Sequence, residues 1–485
     1  MPEPHKYHHA LCLYPYYAGE RGTGLDFFPP TGLEYVATAL KGHVDQISLI
    51  DLRYKQSLQP PQKMFEFIQK NIDLICISIG WRAQYNKICD YISQLPPAPM
   101  TVVGGREATD KVEDVFQRCP NVDAVVRGEG EQTIQELADG QPLDGILGLS
   151  YRHNGKIIHN PNRPLQPIED IAPPDRSLRQ NRYFPVAHGI RLLPLEFDTI
   201  LGSRGCPYKC KFCTFSMNPL GQKRDYVARS PESVVDEIEA CSGNRIIFAD
   251  DNFFVNPNHA ERICDLIIAR GIDKLYFANA RIEAARHPRM LEKAYRAGFR
   301  MLLLGIESAT DRILKQLDKG FNTQQIRDAF NVFRQFPFFY HAYFIYGNIG
   351  ETEEEMMAIP DFARELGAHT INLSMLRVDN FSPLRQIVES TPGYYISKNG
   401  KVYSQEFDRK RLGRIRNRIR NRFMFRPGQV AKILSTMHNC NILTYGQMAK
   451  LGLMTPLFLL DYVIQRNAKA FRCSGKISGN RAAAV

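Results

Sequence analysis

The most restrictive feature of this sequence is a run of three closely spaced cysteines, Cys206, Cys210 and Cys213, in the order C-x3-C-x2-C. This spacing is short enough for one loop to wrap a cuboidal iron–sulfur cluster. A cluster that only carries electrons usually has four cysteine ligands, so three ligands leave one iron free for a small molecule. A structural zinc site normally closes with two short ligand pairs, and the sequence has no second pair nearby. The loop therefore predicts a reactive cluster, with an incomplete zinc site or unrelated thiols as the alternatives.

The segment Gly205–Cys213 resembles the cluster loop of the radical S-adenosylmethionine (SAM) enzymes, in which the open iron chelates the amino and carboxylate groups of SAM. Four later segments resemble the later barrel strands of that family, in the same order: Phe248–Phe253, Phe277–Arg281, Leu304–Ser308 and Phe344–Thr352. The resemblance covers residues 195–380. It implies a partial (β/α)6 barrel that binds a [4Fe-4S] cluster through the three cysteines and binds SAM beside it.

The resemblance also implies how individual residues would hold SAM. Phe212 would place an aromatic ring near the adenine, and the Asp250–Asp251 pair would lie where the family hydrogen-bonds the SAM ammonium. Adjacent residues in a strand point to opposite faces, so at most one of these two carboxylates enters the site directly. A solvated turn or a helix cap is the alternative explanation for the pair.

Three later residues and one glycine complete the implied SAM site. Glu307 would suit a ribose hydroxyl, and Arg281 would suit a carboxylate. Ser308 follows Glu307, and a helix cap from this serine is the competing explanation. Gly347 lies in a segment whose backbone edge would pair with the adenine, although an ordinary loop also explains a glycine there. Seven other polar residues on or near the later strands could face a substrate, and none is singled out: Tyr340, His341, Tyr343, Asn372, Ser374, Arg377 and Asp379.

The first 140 residues have a different pattern, in which apolar runs alternate with helical periodicity from residue 7 onwards. This alternation predicts a doubly wound, Rossmann-like α/β domain with a parallel sheet. Ligands on such sheets bind beyond the carboxyl ends of the strands. The predicted ends are residues 14–24, 51–53, 78–81 and 104–107.

These strand ends are similar to those of cobalamin-binding domains, in which a serine and a later Gly-Gly pair flank the nucleotide tail of the corrin. Ser78, Gly104 and Gly105 would take those places. The first loop departs from the better-known version because it contains no Asp-x-His-x-x-Gly motif. Two outcomes follow: either cobalamin binds without a histidine ligand, which we favour, or the domain has the fold without the corrin.

The length of 485 residues is too great for one ordinary core. We divide the chain into a cobalamin-binding domain (1–140), a linker (141–194), a barrel domain (195–395) and a mostly helical C-terminal region (396–485). The linker is rich in prolines, which break regular structure. Within it, a small hairpin is predicted to turn at Asn154–Gly155.

The net charge of +11 is concentrated in the segment Arg409–Arg426, where apolar residues recur at spacings of three and four. This pattern predicts a basic amphipathic helix. Such a helix can lie on a membrane surface, or it can pack its apolar stripe on its own domain. The sequence has no apolar stretch of transmembrane length and no signal-peptide core. We therefore expect a cytoplasmic protein, with peripheral membrane contact as an option, and with its remaining cysteines reduced.

Cobalamin above a radical barrel resembles the enzymes that methylate unreactive carbon, and it also resembles anaerobic ring-forming oxidative cyclases. We favour a C-methyltransferase because methyl transfer is the commoner use of this architecture. The implied partners are a small-molecule or lipid-like substrate and an external electron donor of the flavodoxin or ferredoxin type. A nucleic-acid-binding or RNA-modifying protein is the alternative suggested by the charge, but the basic segment has few interleaved aromatics. A non-catalytic electron carrier conflicts with the open iron.

Overall fold

The computed structural model describes residues 5–17, 28–187, 190–213 and 217–454. Part of the first predicted ligand loop, residues 18–24, and Cys473 therefore lie outside the described residues. Among the ten described cysteines, every thiol is free. No helix in the described part of the chain is both long and apolar enough to cross a bilayer.

The N-terminal domain is a seven-stranded sheet in the order β2-β1-β3-β4-β5-β6-β7. Its strands are β1 (His9–Tyr14), β2 (Gln46–Asp51), β3 (Leu74–Ser78), β4 (Met100–Gly104), β5 (Ala124–Val126), β6 (Leu149–His153) and β7 (Lys156–His159). Its helices are α1 (Thr31–Ala39), α2 (Pro61–Ile68), α3 (Tyr85–Ile92), α4 (Arg106–Asp110), α5 (Val112–Arg118) and α6 (Glu131–Ala138). The first five strands are parallel. The predicted doubly wound sheet is confirmed, and β1 and β3 are buried almost throughout because helices cover both faces.

The hairpin predicted at Asn154–Gly155 is also confirmed, since β6 and β7 pair antiparallel around these two residues. Both have positive φ angles, 48° and 75°, as a two-residue type I′ turn requires. β6 continues the sheet by pairing antiparallel with β5. Residues 149–159 of the segment that we assigned to the linker are thus part of the first sheet. Two short strands follow, β8 (Val186–Ala187) and β9 (Ile190–Arg191).

The second domain is an open barrel of six parallel strands, which confirms the predicted partial (β/α)6 architecture. These strands are β10 (Phe197–Ile200), β13 (Arg245–Phe248), β14 (Leu275–Ala280), β15 (Phe299–Glu307), β16 (Phe339–Tyr346) and β17 (Thr370–Met375), and a small ribbon after β10 consists of β11 (Ser203–Arg204) and β12 (Val227–Ala228). The barrel helices are α7 (Pro231–Ala240), α8 (Pro257–Ala269), α9 (Pro288–Ala297), α10 (Asp311–Gln316), α11 (Thr323–Phe333) and α12 (Glu353–Glu365).

The described C-terminal part packs against the outer helices of the barrel and against the amino ends of its strands. It contains α13 (Leu384–Ser390), β18 (Tyr394–Ile396), β19 (Val402–Ser404), α14 (Arg409–Met424) and α15 (Gln429–Asn439). Ile433 of α15 and Cys440 form a buried cluster with Phe277 and Phe339 near the amino ends of the barrel strands. The described C-terminal residues therefore cover the amino ends of the barrel strands.

The basic segment forms the predicted helix, α14, but its apolar stripe is not available to a membrane. Leu412, Ile415, Ile419 and Phe423 are at most 1% exposed and belong to the main barrel core. α14 packs on α12 and β17. The structure thus decides between the two options in favour of packing on the same domain, and it corrects the idea of a membrane contact through the apolar face.

Ion pairs join the two domains where the carboxyl ends of both sheets face each other. Arg82, next to β3, lies 3.1 Å from Glu107 of its own domain and 3.3 Å from Asp379 of the barrel domain. Arg204 of the barrel domain lies 3.1 Å from Glu129 and 2.8 Å from Glu131. Because these side chains are largely buried, the pairs fix how the two domains face each other.

Candidate active site between the two domains

The cysteine loop begins at a position that only glycine can occupy. Gly205 has a φ of 81°, and a Cβ atom there would lie 2.4 Å from the carbonyl oxygen of Asp225 and 2.5 Å from that of Arg224. Further along, the backbone N–H of Lys211 donates to the carbonyl of Leu317 at 3.0 Å. The loop therefore starts in close contact with the segment before β12 and is bonded at Lys211 to the residue that follows α10.

The three thiols of this loop are half-buried, and burial raises the pKa of Cys206. The backbone N–H of Cys213 donates to the carbonyl of Cys210 at 3.0 Å, so the last two thiols share one tight turn. Within the described residues, no three His, Cys, Asp or Glu side chains are grouped closely enough to hold a single metal ion. Three thiols on one loop fit the wider spacing of a cuboidal cluster better than they fit a zinc ion.

Arg281 lies beside the cluster loop. Its Nη1 donates to the Sγ of Cys210 at 3.2 Å, and its guanidinium carbon lies 3.6 Å from the centre of the Tyr208 ring. Glu283 pairs with the same guanidinium at 2.9 Å. In this arrangement Arg281 approaches a thiol, whereas the sequence assigned it to a carboxylate of SAM.

The two adjacent aspartates point in different directions, as expected. One carboxylate bonds to neighbouring residues of the chain, and the other faces a cavity. Asp250 is 1% exposed, and it accepts hydrogen bonds from Gly202 N at 3.0 Å and from Ser203 Oγ at 2.5 Å. It thus positions the strand that leads into the cysteine loop. Asp251 lines the cavity described below. Burial raises the pKa of both carboxyls to about 6.

The end of β15 carries a buried ion pair that sequence reasoning missed. Lys319 Nζ lies 3.0 Å from Glu307 Oε1 and 5.5 Å from the centre of the Phe212 ring. A Cβ atom on Gly305 would lie 2.6 Å from Glu307 Oε1, so the glycine makes room for the pair. Lys319 follows the short helix α10. No local sequence pattern marks it, because its partner Glu307 lies at the end of the preceding strand, β15. Glu307, Lys319 and Phe212 together form one wall of the barrel mouth.

Ser308 and Gly347 have local structural roles in this conformation. Ser308 is buried, and its Oγ accepts from the backbone N–H of Thr310 at 3.1 Å, which supports the competing explanation of a turn or cap. Gly347 has a φ of 73° and lies over Leu412 of α14. Both residues nevertheless lie at the carboxyl ends of their strands, on the same edge as Glu307.

The predicted cobalamin residues lie side by side on the first sheet. Ser78 and Gly104 pair in register at the ends of β3 and β4. Gly105 has a φ of 99°, and a Cβ atom there would lie 2.9 Å from the backbone of Ile79, so this glycine also serves strand packing. Nothing lies within 4 Å of a Cβ atom on Gly80. Small side chains and open space at this edge fit the close approach of a bulky ring system.

A cavity of about 270 Å³ lies between the two domains. The N-terminal domain contributes residues that follow β4 and β5, and the barrel domain contributes the cysteine loop and the end of β13. The lining includes Arg106, Thr109, Gly128, Glu129, Ser203, Gly205, Arg224 and Asp251. Arg106 belongs to a strand end that the sequence indicated, but its place opposite Asp251 depends on how the domains pack.

The candidate substrate residues on the later strands do not all face the same way. His341 and Tyr343 share one face of β16, with ring centres 4.9 Å apart, and burial lowers the pKa of His341 to about 4. Their register partners on β17, Thr370 and Asn372, lie beside them. Tyr340 instead donates to the backbone of α11 and the turn after it. Arg377 and Asp379 pair with each other and contribute to the domain contact.

Comparison with known proteins agrees with this architecture. The model of the "Radical SAM superfamily" matches residues 200–363, and that of the "B12 binding domain" matches residues 23–138. The chain is 32% identical over 350 residues to the "uncharacterized methyltransferase PH0819" of Pyrococcus horikoshii, which covers 70% of this chain and 73% of that protein. This chain belongs to the radical SAM superfamily. It is a radical SAM enzyme with a cobalamin-binding domain, and its cofactors are a [4Fe-4S] cluster, SAM and cobalamin.

Other relatives of this radical SAM enzyme have different names. The anaerobic magnesium-protoporphyrin IX monomethyl ester cyclase of Cereibacter sphaeroides is 28% identical over 308 residues, which are 60% of this chain and 49% of that protein. Among solved structures, the methyltransferase TsrM from Kitasatospora setae superposes with a TM-score of 0.66 at 18% identity, over 89% of this chain and 91% of that one. This likeness supports the fold. Radical SAM enzymes act on small molecules and receive an electron from an external reductant.

Proposed function

We propose that this radical SAM enzyme is a cobalamin-dependent C-methyltransferase that acts on an unactivated carbon of a small molecule. When bound, the cluster and SAM would provide the radical that removes a hydrogen atom from the substrate, and cobalamin would provide the methyl group. The balanced outcome is a C–H bond replaced by a C–CH3 bond. Two molecules of SAM and two electrons from the external donor are used: one SAM is split into methionine and 5′-deoxyadenosine, which carries the abstracted hydrogen, and the other gives up its methyl group and becomes S-adenosylhomocysteine.

The observation that carries this proposal is the shared cavity between the domains. One wall follows the strand ends of the cobalamin-binding domain at Arg106 and Glu129, and the other carries Gly205 of the cysteine loop and Asp251. A methyl donor on one wall and a hydrogen-abstracting centre on the other would meet the same substrate carbon. Holding reactants in one such space is itself a large source of rate acceleration.

We propose the following roles for individual residues. Cys206, Cys210 and Cys213 hold the cluster, and Arg281 offsets the charge of the Cys210 thiolate. Asp250 positions the loop through Gly202 and Ser203. We assign SAM binding to Asp251, which lines the cavity, and to Glu307 and Phe212 beside Lys319. Ser308 and Gly347 shape the strand ends beside them. Ser78, Gly104 and Gly105, at the ends of β3 and β4, receive cobalamin on the N-terminal sheet.

The face of β16 and β17 towards the barrel interior supports an amphiphilic substrate. Half-buried Leu303 of β15 lies next to His341 in register, and the polar Asn372 and Ser374 are exposed on the last strand. This face is apolar on one side and polar towards the open edge of the barrel, as a small amphiphilic molecule requires. With the apolar stripe of α14 buried, any contact with an anionic membrane would depend on exposed arginines. The electron would come from a flavodoxin- or ferredoxin-type donor.

Anaerobic preparation of the enzyme tests the proposal directly. The purified protein should contain iron, sulfide and a corrin, and with dithionite it should convert SAM into 5′-deoxyadenosine. Cys213→Ala should abolish both the cluster and this cleavage, whereas the matched control Cys264→Ala, in the buried face of α8, should retain them. Absence of 5′-deoxyadenosine from the wild-type reaction would contradict the proposal.

The second product separates methyl transfer from ring formation, which the cyclase relatives suggest as the other outcome. A methyltransferase should release S-adenosylhomocysteine together with 5′-deoxyadenosine, and a label in the SAM methyl group should reach the product. A cyclase should release 5′-deoxyadenosine without S-adenosylhomocysteine. The latter result would replace the methyltransferase proposal by the cyclase.

A further inference from the structure

The end of the described chain carries charge of one sign only. Residues 409–454 contain eleven lysines and arginines and no aspartate or glutamate, which equals the net charge of the whole protein, +11. Four of these arginines pair with carboxylates of α12: Arg411, Arg418, Arg422 and Arg426. Three others are exposed and form no ion pair with the described residues: Arg414, Arg416 and Arg420. A surface of this kind attracts an anionic partner.

The helix that follows the basic helix, α15, exposes an apolar face. Only Ile433 is buried among its eleven residues. Val430 is 53% exposed and Leu434 is 39% exposed. Because residues four positions apart lie on the same side of a helix, these two side chains are neighbours on the surface. A surface helix normally has polar residues on its outer face, so the outer face of α15 is typical of a contact surface.

Two exposed aromatic rings adjoin this face, one before the helix and one after it. Phe425, in the short turn that joins α14 to α15, is 80% exposed. Tyr445 is 59% exposed, and its ring stacks on that of His438 with ring centres 3.9 Å apart. His438 comes four residues after Leu434 and therefore lies on the same side of α15. We call this surface the α15 ridge; it consists of Phe425, Val430, Leu434 and Tyr445.

The charge around the α15 ridge argues against three other occupants. A second copy of the chain would bring the same basic residues to the contact, and like charges repel each other. The remaining residues of this chain, 455–485, contain five lysines and arginines and one aspartate, so they would add positive charge beside α14. A nucleic acid is anionic, but Val430 and Leu434 offer no ring on which a base can stack. An anionic surface with an apolar layer beneath it matches both the arginines and the ridge.

We propose that the α15 ridge and the free arginines of α14 dock this enzyme on an anionic membrane surface. The arginines supply the attraction to the lipid headgroups, and the ridge enters the boundary between headgroups and acyl chains. Tyr445 suits that level of a bilayer because its ring is apolar and its hydroxyl is polar. This inference goes beyond the proposed function and does not depend on it, since no residue of the active site takes part.

The first test measures co-sedimentation of the full-length protein with vesicles at low salt. The wild type should bind vesicles of equal parts phosphatidylglycerol and phosphatidylcholine and should not bind vesicles of phosphatidylcholine alone. The double variant Val430→Asn, Leu434→Gln should bind about tenfold more weakly, because two apolar side chains no longer leave water on binding. The matched control Ile268→Gln changes an apolar residue of α8 that is 36% exposed, and it should bind as the wild type does. Wild-type affinity in the double variant would overturn the inference.

The second test reports the environment of the ridge itself. Trp81 is the only tryptophan of the chain, so Phe425→Trp combined with Trp81→Phe leaves a single indole, in the α15 ridge. Its fluorescence should shift to shorter wavelength on anionic vesicles, and lipids with brominated acyl chains should quench it. An unchanged spectrum would overturn the inference.

Two further results would assign the surface to another occupant. A dimer that dissociates in the Val430→Asn, Leu434→Gln variant, seen by sedimentation velocity in a protein that does not bind vesicles, would assign the ridge to a second copy. Binding of RNA that displaces the vesicles and is unchanged in the double variant would assign the basic surface to nucleic acid. Either result would overturn the membrane contact and leave the proposed reaction intact, because neither measurement involves SAM or substrate.

Discussion

Lys319 Nζ lies 3.0 Å from Glu307 Oε1 at the carboxyl end of β15, and both side chains are buried. Glu307 also has a φ of 72°, a region that non-glycine residues rarely adopt. Strained backbone of this kind is commonly found at functional sites. The pair therefore combines a buried charge, a strained backbone and a position beside Phe212 at the mouth of the barrel.

Replacing one member of this ion pair should strongly destabilise the protein. Because a lone buried charge remains, we expect Lys319→Met and Glu307→Gln each to lower the free energy of unfolding by about 3–5 kcal/mol. The double variant should lose less than the sum of the two. Urea unfolding of the four proteins measures the coupling. The exposed pair Arg262–Glu232, at 2.8 Å, is the matched control, and its coupling should stay below about 1 kcal/mol. Additive losses at Glu307 and Lys319 would contradict the interpretation.

Gly205 of the cysteine loop and Gly221 have similar backbone angles. Comparing their alanine variants distinguishes the effect of backbone strain from that of steric overlap. Gly205→Ala should prevent the loop from folding, because its Cβ would overlap two carbonyl oxygens. Gly221 has a φ of 76° with open space around it, so Gly221→Ala should cost only about 1–2 kcal/mol of backbone strain. Iron content after anaerobic reconstitution measures the difference. Equal iron content in the two variants would show that the overlap at Gly205 is relieved elsewhere.

Glu351 should make the stability of the protein depend on pH near neutrality. Burial raises its pKa from 4.5 to about 7, and its Oε1 has no partner among the described residues. A carboxyl whose pKa is higher in the folded state stabilises the fold at low pH, and this contribution is lost as the pH rises through about 7. Urea unfolding should therefore show falling stability between pH 5 and 8.

The variant Glu351→Gln should remove this part of the pH dependence, because an amide does not ionise. It should be more stable than the wild type at the alkaline end of the range. Glu354→Gln, which changes an exposed carboxylate in the next turn, should keep the wild-type slope. An unchanged slope in Glu351→Gln would assign the pH dependence to other groups.

The arginines of α14 fall into two classes with different expected effects. Arg418 and Arg422 pair with Glu353 and Asp361 of α12, whereas Arg414, Arg416 and Arg420 are exposed and form no ion pair with the described residues. If anionic vesicles are bound, each free arginine contributes about 1 kcal/mol near the surface, and salt should weaken the binding.

Vesicle co-sedimentation across salt concentrations measures this contact. Changing the three free arginines to Gln should abolish binding at low salt without lowering stability. Changing Arg418 and Arg422 to Gln should chiefly loosen the contact between α14 and α12. If the wild-type protein does not bind anionic vesicles at low salt, the prediction is wrong and α14 has only a structural role.

Local patterns in the sequence were sufficient for the main architecture. The spacing of Cys206, Cys210 and Cys213 on one loop, the apolar runs of β1 to β4 and the turn at Asn154–Gly155 all depend on residues close together in the chain. The periodicity of α14 predicted its helix and its apolar stripe for the same reason. Short-range sterics and hydrophobic periodicity are local properties, so the sequence alone determined these elements, and the motif segments carried the resemblance to the superfamily.

Only the tertiary structure decided which groups meet. It turned Asp250 onto the backbone of Gly202 and left Asp251 in the cavity, because the packing of β11 against the end of β13 determines which carboxylate is enclosed. Lys319 pairs with Glu307, and the Tyr16 hydroxyl bonds to the backbone of Trp81. In each case the two residues lie too far apart in the sequence for a local pattern to predict the contact. The burial of the α14 stripe on its own barrel was likewise undecided in the sequence, since an apolar stripe has the same periodicity whether a membrane or a protein core covers it.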